Sequence, residues 1–179
     1  MAPIGAESRR LCVAAAGTSC PAAEKVLTAA ADAAGLSPQW RPGALVAVLG
    51  PPATPADRFL RALDTELRAH NATQDRLRLR VALHEGSTPE VRHLLTAPVL
   101  VDALDEAPDA NLAVLLSDRI PGAAQPPECH EVLLRGNDIA VSPRAWLWLP
   151  GWRPGAAERR SGEFDGDRDW VAQGVAHRG

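Results

Sequence analysis

Several short constellations in this chain carry residue types that do chemistry. His84-Glu85 opens as the zinc-protease pattern HExxH does, in which two histidines four apart on one helix face hold the metal and the glutamate serves as base. The residue required at the fifth position is Thr88, so the second ligand is missing and the pattern fails. Ser117-Asp118 offers half of a nucleophile pair, but Ser-Asp at the end of an apolar run is the composition of a turn or a helix cap. Asp165, Asp167 and Asp169 alternate as in a calcium loop; Trp170 then stands where that loop needs glycine, and Ala176 where it needs glutamate. Arg159-Arg160-Ser161 has the order of a basophilic kinase site and reads as a chance occurrence. His70, His84, His93 and His130 read as surface side chains. Neither Gly17-Thr18-Ser19 nor Gly50-Pro51-Pro52 is a phosphate loop, since no GxxxxGK is present.

The cysteines, Cys12, Cys20 and Cys129, are odd in number and none forms a CxxC pair. They read as reduced thiols of a cytoplasmic protein, without the paired spacing of a zinc site. The N-terminal MAPIGAESRR has no hydrophobic stretch before its charges and does not read as a secretory signal. No apolar run is long enough to span a bilayer. Lysine and arginine total 19 against 22 acidic residues, a formal charge of -3. The chain as a whole offers no field to nucleic acid or to an anionic membrane, so neither is expected as a partner. Apolar residues at 46% and charged residues at 23% are close to globular averages, and 179 residues suffice for one domain with a core of its own.

The elements that would position these residues follow from periodicity. Residues 10–16 (RLCVAAA) read as a strand ended by Gly17; Ser19-Cys20-Pro21 then starts a helix over Ala22 to Ala34 that stops at Gly35. Pro38-Gln39-Trp40 is a short extended piece that adds a hairpin to the buried strand Ala44–Leu49. Thr54-Pro55-Ala56-Asp57 has the order cap, proline, acid, and Phe59, Leu60, Leu63 and Leu67 continue it at helical spacing. Residues 77–84 alternate: Leu77, Leu79, Val81 and Leu83 face one way, and Arg78, Arg80, Ala82 and His84 the other, the period of a half-buried strand. Thr88-Pro89-Glu90 opens a helix reaching Leu104, with a weak point at Pro98. Asn111–Leu116 is a further strand, Pro121–Glu128 a loop, and Glu131–Leu134 and Ala145–Leu149 are short strands. Residues 151–179 are glycine-rich and charged and read as a flexible tail. The expected fold class is α/β, an α+β sandwich with helices on one face of a sheet.

Several of these pieces, in order, carry a resemblance. Ala69-His70-Asn71-Ala72 with Leu77 to Gly86 (LRLRVALHEG) is similar to "RHNA…IRLRVALHxGEV" of the class III adenylate/guanylate cyclase homology domain, in its divergent actinobacterial form. Trp40 to Val46 stands where that family has a hairpin carrying "RGDG". Residues 92–98 (RHLLTAP) resemble its "RLLDAxPL", and residues 112–119 (LAVLLSDR) its "LALIVSD". Residues 145–150 (AWLWLP) resemble its closing strand, so the likeness covers residues 9–150. It implies a ferredoxin-like βαββαβ core with additional C-terminal strands.

Cyclase chemistry in that family needs two carboxylates holding two metal ions, and an Asn and an Arg on the transferring phosphoryl group. The first acid belongs in the first strand, here Leu11 to Ala16 without an acid; the second belongs in "RGDG", here Arg41-Pro42-Gly43-Ala44. If Arg92 is the family's Arg, Thr88 stands at the Asn position. The one lysine, Lys25, lies far from the last strands, where the family places one. The segment after Gly86, which carries a base-recognising residue in the family, is shortened. The resemblance therefore implies a pseudoenzyme with no catalytic residues, no metal and no cofactor, acting as a regulatory or protein-interaction module. A protein partner or a second copy is expected on an open sheet face with Arg78 and Arg80, and on a tryptophan edge of Trp146, Trp148 and Trp152. The alternative is a nucleotide or cyclic-nucleotide sensor with Arg41, Arg78 and Arg80 as phosphate contacts. A further alternative, residual cyclase or another activity, needs acids such as Glu85, Asp118 or Asp138 to converge in a cleft.

Overall fold

The computed structural model describes residues 9–51, 54–121, 125–134 and 143–152. The element order is β1 (Arg10–Gly17), α1 (Cys20–Ala33), β2 (Gln39–Trp40), β3 (Val46–Gly50), α2 (Ala56–Thr73), β4 (Leu79–Gly86), α3 (Thr88–Leu95), α4 (Pro98–Glu106), β5 (Leu112–Ser117), β6 (His130–Leu133) and β7 (Arg144–Trp148). The strands form one sheet in the order β2-β3-β1-β4-β5-β7-β6. All neighbours are antiparallel except β4 and β5, which run parallel and are joined through α3 and α4.

The start and stop signals mostly act where the sequence places them. Gly35, at φ 72°, takes the left-handed conformation just past α1, which a side chain would oppose. Gly43, at φ 73°, turns the β2–β3 hairpin, whose register pairs Gln39 with Val48 and Trp40 with Ala47. The capping positions shift by one residue in two places. Pro55 is the N-cap of α2, and the Thr54 hydroxyl turns back to donate to the Pro51 carbonyl at 2.6 Å. Ser87, not Thr88, caps α3, in a reciprocal capping box with Glu90. The helix expected over residues 90–104 with a weak point at Pro98 is two helices, broken there because proline has no N–H to donate to a carbonyl of the preceding turn.

Helices cover both faces of the sheet, which corrects the expectation of helices on one face. Leu11, Val13, Leu79, Val81, Leu83, Leu112, Val114 and Leu116 point to one side and pack with Val26, Leu27, Phe59, Leu60 and Leu63 of α1 and α2. Cys12, Ala14, Ala82, Ala113 and Leu115 point to the other and pack with Val91, Leu94, Leu100 and Leu104 of α3 and α4. The physical reason lies in the strands: β1 and β5 are apolar at every position from Leu11 to Ala15 and from Leu112 to Leu116, so neither face tolerates water. The alternation in β4 holds, but its supposedly polar side is covered too.

Candidate functional site

His84 and Ser117 end the parallel pair β4–β5 on the face under α3, and both are 0% exposed. The reading of His84 as a surface histidine is therefore corrected. It is buried because the residues flanking it on that face, Cys12 and Ala82, belong to the second core. Ser117 Oγ lies 2.9 Å from His84 Nδ1, and Glu90 Oε2 lies 3.2 Å from Nε2. The Glu90 carboxylate offers only lone pairs, which assigns the ring proton to Nε2; the Ser117 hydroxyl then donates to Nδ1. The same Glu90 oxygen accepts from the Ser87 amide and hydroxyl, each at 2.8 Å. Arg119 stands 3.9 Å from its other oxygen. One carboxylate thus closes the N-terminus of α3 and holds the ring of a histidine in the sheet.

Charges follow from this packing. Burial pushes the His84 imidazole below its ordinary value of 6.5, with Glu90 pulling the other way. Burial works against ionisation of Glu90, but the Ser87 hydroxyl and amide bonds and His84 outweigh it, holding the carboxyl below 4.5. Serine, histidine and acid in hydrogen-bond contact have the membership of a hydrolase triad. Ser117 and His84 are both 0% exposed, so Oγ is not presented to solvent. The sequence carried one signal, the S-x-x-E order of Ser87 to Glu90; the alternation of β4 puts His84 on the face with Arg78 and Arg80, which by itself reads as the polar side.

A second neighbourhood is open to solvent. A cleft of about 370 Å³ lies between the first turn of α1 and the β2–β3 hairpin, walled by Cys20, Glu24, Trp40, Arg41, Gly43 and Leu45. The Arg41 amide donates to the Val46 carbonyl at 2.8 Å and closes the hairpin. The Trp40 indole N–H is buried, without a hydrogen-bond partner among the described residues.

The other anticipated residues are scattered. Arg78 donates through Nε to the Ala110 carbonyl at 3.0 Å, and through its guanidinium to those of Leu104 and Ala107, so it closes the C-terminal end of α4. Arg80 is half-buried on the same face. Trp146 and Trp148 share a side, as expected, and that side is the first core. Trp152 packs against the second core and meets His130 edge to face, 6.1 Å between centroids. Asp138, the acidic calcium-like run and the kinase-like Ser161 lie outside the described residues, as does the tail from residue 153 onward. Among the described residues, no group of three or more His, Cys, Asp or Glu is placed to hold a metal ion, and no helix is long and apolar enough to cross a membrane. No protein-family model matches the chain, and no curated protein is similar to it.

Proposed function

We propose that this chain is a non-catalytic module of the nucleotide-cyclase homology type, acting through contact with a protein partner or a second copy of itself. The observation that carries the reading is the chemistry of two neighbouring positions. The first strand and the hairpin, where the resembling family keeps its metal-holding acids, are joined in register, with Val13 opposite Ala47 and Ala14 opposite Val46. The side chains of β1 are apolar from Leu11 to Ala16, and Pro42, Gly43 and Ala44 stand in the turn. Two dications beside a triphosphate need protein anions, and losing either carboxylate costs several kcal/mol of transition-state stabilisation. The strand order β2-β3-β1-β4, with α1 after β1 and α2 after β3, supports a ferredoxin-like reading of this half of the sheet. Three free cysteines support a reducing compartment such as the cytoplasm.

Because both sheet faces are covered, partner contact falls to the sheet edges and not to Arg78 and Arg80. Light scattering on the eluting protein and affinity capture with the full chain test the proposal. A dimer or a reproducible saturable partner is expected; a strict monomer with no partner overturns it. Cyclic product from ATP or GTP with Mg²⁺ or Mn²⁺ would overturn the non-catalytic part.

The hairpin cleft favours a second reading, a nucleotide or cyclic-nucleotide sensor without turnover, with Arg41 as the phosphate contact. It is separated from the first by thermal shift. A sensor's melting temperature rises with nucleotide concentration, and Arg41→Ala abolishes the rise. A flat response leaves the interaction module alone.

A further inference from the structure

We infer that the first turn of α3 is an acid-sensitive latch, fastened to the sheet by the neutral imidazole of His84. This ring joins the two sides, bonding Ser117 at the end of β5 through one nitrogen and Glu90 of α3 through the other. In the neutral form every polar atom is satisfied: Ser117 donates, Nδ1 accepts, Nε2 donates and Glu90 accepts. A second ring proton breaks this sequence. Nδ1 becomes a donor facing a hydroxyl that must turn its own proton away, on a buried face whose preceding residues on the two strands, Ala82 and Leu115, are apolar.

The groups facing the ring decide where the new charge goes. On β1 the register partner is the Cys12 thiol, which burial keeps neutral. Past β5 stand Asp118 and Arg119, whose influences on the ring oppose each other. On α3 stands Glu90, at 22% side-chain exposure the anion in contact with the ring, while Asp118 is exposed. The neighbouring Glu85 alternates toward the opposite side of β4. A charged ring is therefore drawn toward Glu90 and solvent and away from Ser117. Protonation strengthens the bond to Glu90, but the cost of burying the charge outweighs that gain and favours the arrangement in which the first turn of α3 lifts and water reaches the ring. Burial holds the ring neutral at neutral pH, which sets the latch closed there and released on acidification.

Amide hydrogen exchange by NMR on the full chain at about pH 7.5 and about pH 5 tests this, with rates corrected for intrinsic chemistry. That window lies above the titration of Glu90, whose carboxyl is held below 4.5. Protection at Ser87, Glu90 and Val91 is expected to drop roughly tenfold relative to α2 amides, in step with the imidazole nitrogen signals moving from the Nε2–H tautomer to imidazolium. His84→Gln, which keeps a donor and an acceptor but cannot titrate, is expected to show the same protection at both pH values. Should that variant fail to fold, Glu90→Gln retains the capping geometry without the charge and is expected to move the loss to lower pH. An imidazole still neutral at about pH 5 overturns the latch. So does titration that leaves α3 protection unchanged, an equal drop in His84→Gln, or a loss that Glu90→Gln does not move.

Discussion

Gly86 is what lets the buried network close. A Cβ built on it would overlap both His84 Nε2 and Glu90 Oε2, the two atoms that bond across α3 and β4. Neither can retreat, because the ring is tied to Ser117 behind it and the carboxylate to Ser87 beside it. Gly86→Ala is therefore expected to destabilise the chain by about 1–3 kcal/mol, the range of overpacking in a filled core. Urea unfolding with an unchanged m-value checks it, and a cost under about 0.5 kcal/mol would mean that the contact is not made. The titration of His84 gives a second expectation. Its folded value lies below 6.5, so the unfolded chain binds more protons once the pH drops to that region. The stability it contributes is complete above 6.5 and is lost as the pH falls through and below it. Glu90, also depressed, adds a loss in the same direction that begins only as the pH nears 4.5. The urea midpoint is expected to fall from neutral pH toward pH 5 in the wild type, and less so in His84→Gln. Alternation placed His84 on the correct side of its strand, but which side was wet could not be read from one strand, because it depends on what the later helices cover.

At the scale of elements, β4 shows how a charged residue serves a fold whose sequence suggests a solvated face. Arg78, just before β4, reaches under α4 and donates to the carbonyl of Leu104 in its last turn and to those of Ala107 and Ala110 just beyond it. Hydrogen bonds to a charged group are worth about 1.5–3 kcal/mol, reduced here because the side chain is only half-buried. Arg78→Ala is expected to cost roughly 1–2 kcal/mol in thermal or urea unfolding, and Arg78→Lys to recover only part of it, since an ammonium lacks the planar fork that spans three carbonyls. Full recovery by lysine would reduce the role to a point charge at a helix C-terminus. Element boundaries were largely legible because the punctuation is local: Gly17, Gly35, Pro98 and the Thr54–Asp57 run act over a turn or less. The one-residue shifts of the caps at Pro55 and Ser87 were not, because Thr54 and Thr88 compete for the same role and only the chain's path decides between neighbours.

For the whole molecule, the main consequence is a sheet closed on both sides. Phe59, Leu60, Leu63 and Leu67 made the first core legible at helical spacing. The second core is built from small residues, Cys12, Ala14, Ala82, Ala113 and Ala145, which carry little hydrophobic signal individually. Their small size lets the backbone of α3 and α4 approach the sheet closely, so a weakly patterned strand face becomes an interior. On that face Arg78 is engaged from within, donating to carbonyls at the end of α4, and Arg80 is half-buried. Leu63 of α2 and Leu100 of α4 are each 0% exposed, one in each core. If the two cores are equally closed, Leu63→Ala and Leu100→Ala should each cost about 2–5 kcal/mol, since each leaves a cavity that neighbours fill only in part. A sheet open on the second side would let water enter at Leu100, and its truncation would then cost less than about 1 kcal/mol. Parallel urea titrations of the two variants separate these cases. A small loss at Leu100 beside a large one at Leu63 would return the second face to solvent; equal losses leave the sheet edges at β2 and β6 as the surfaces for the proposed partner contact.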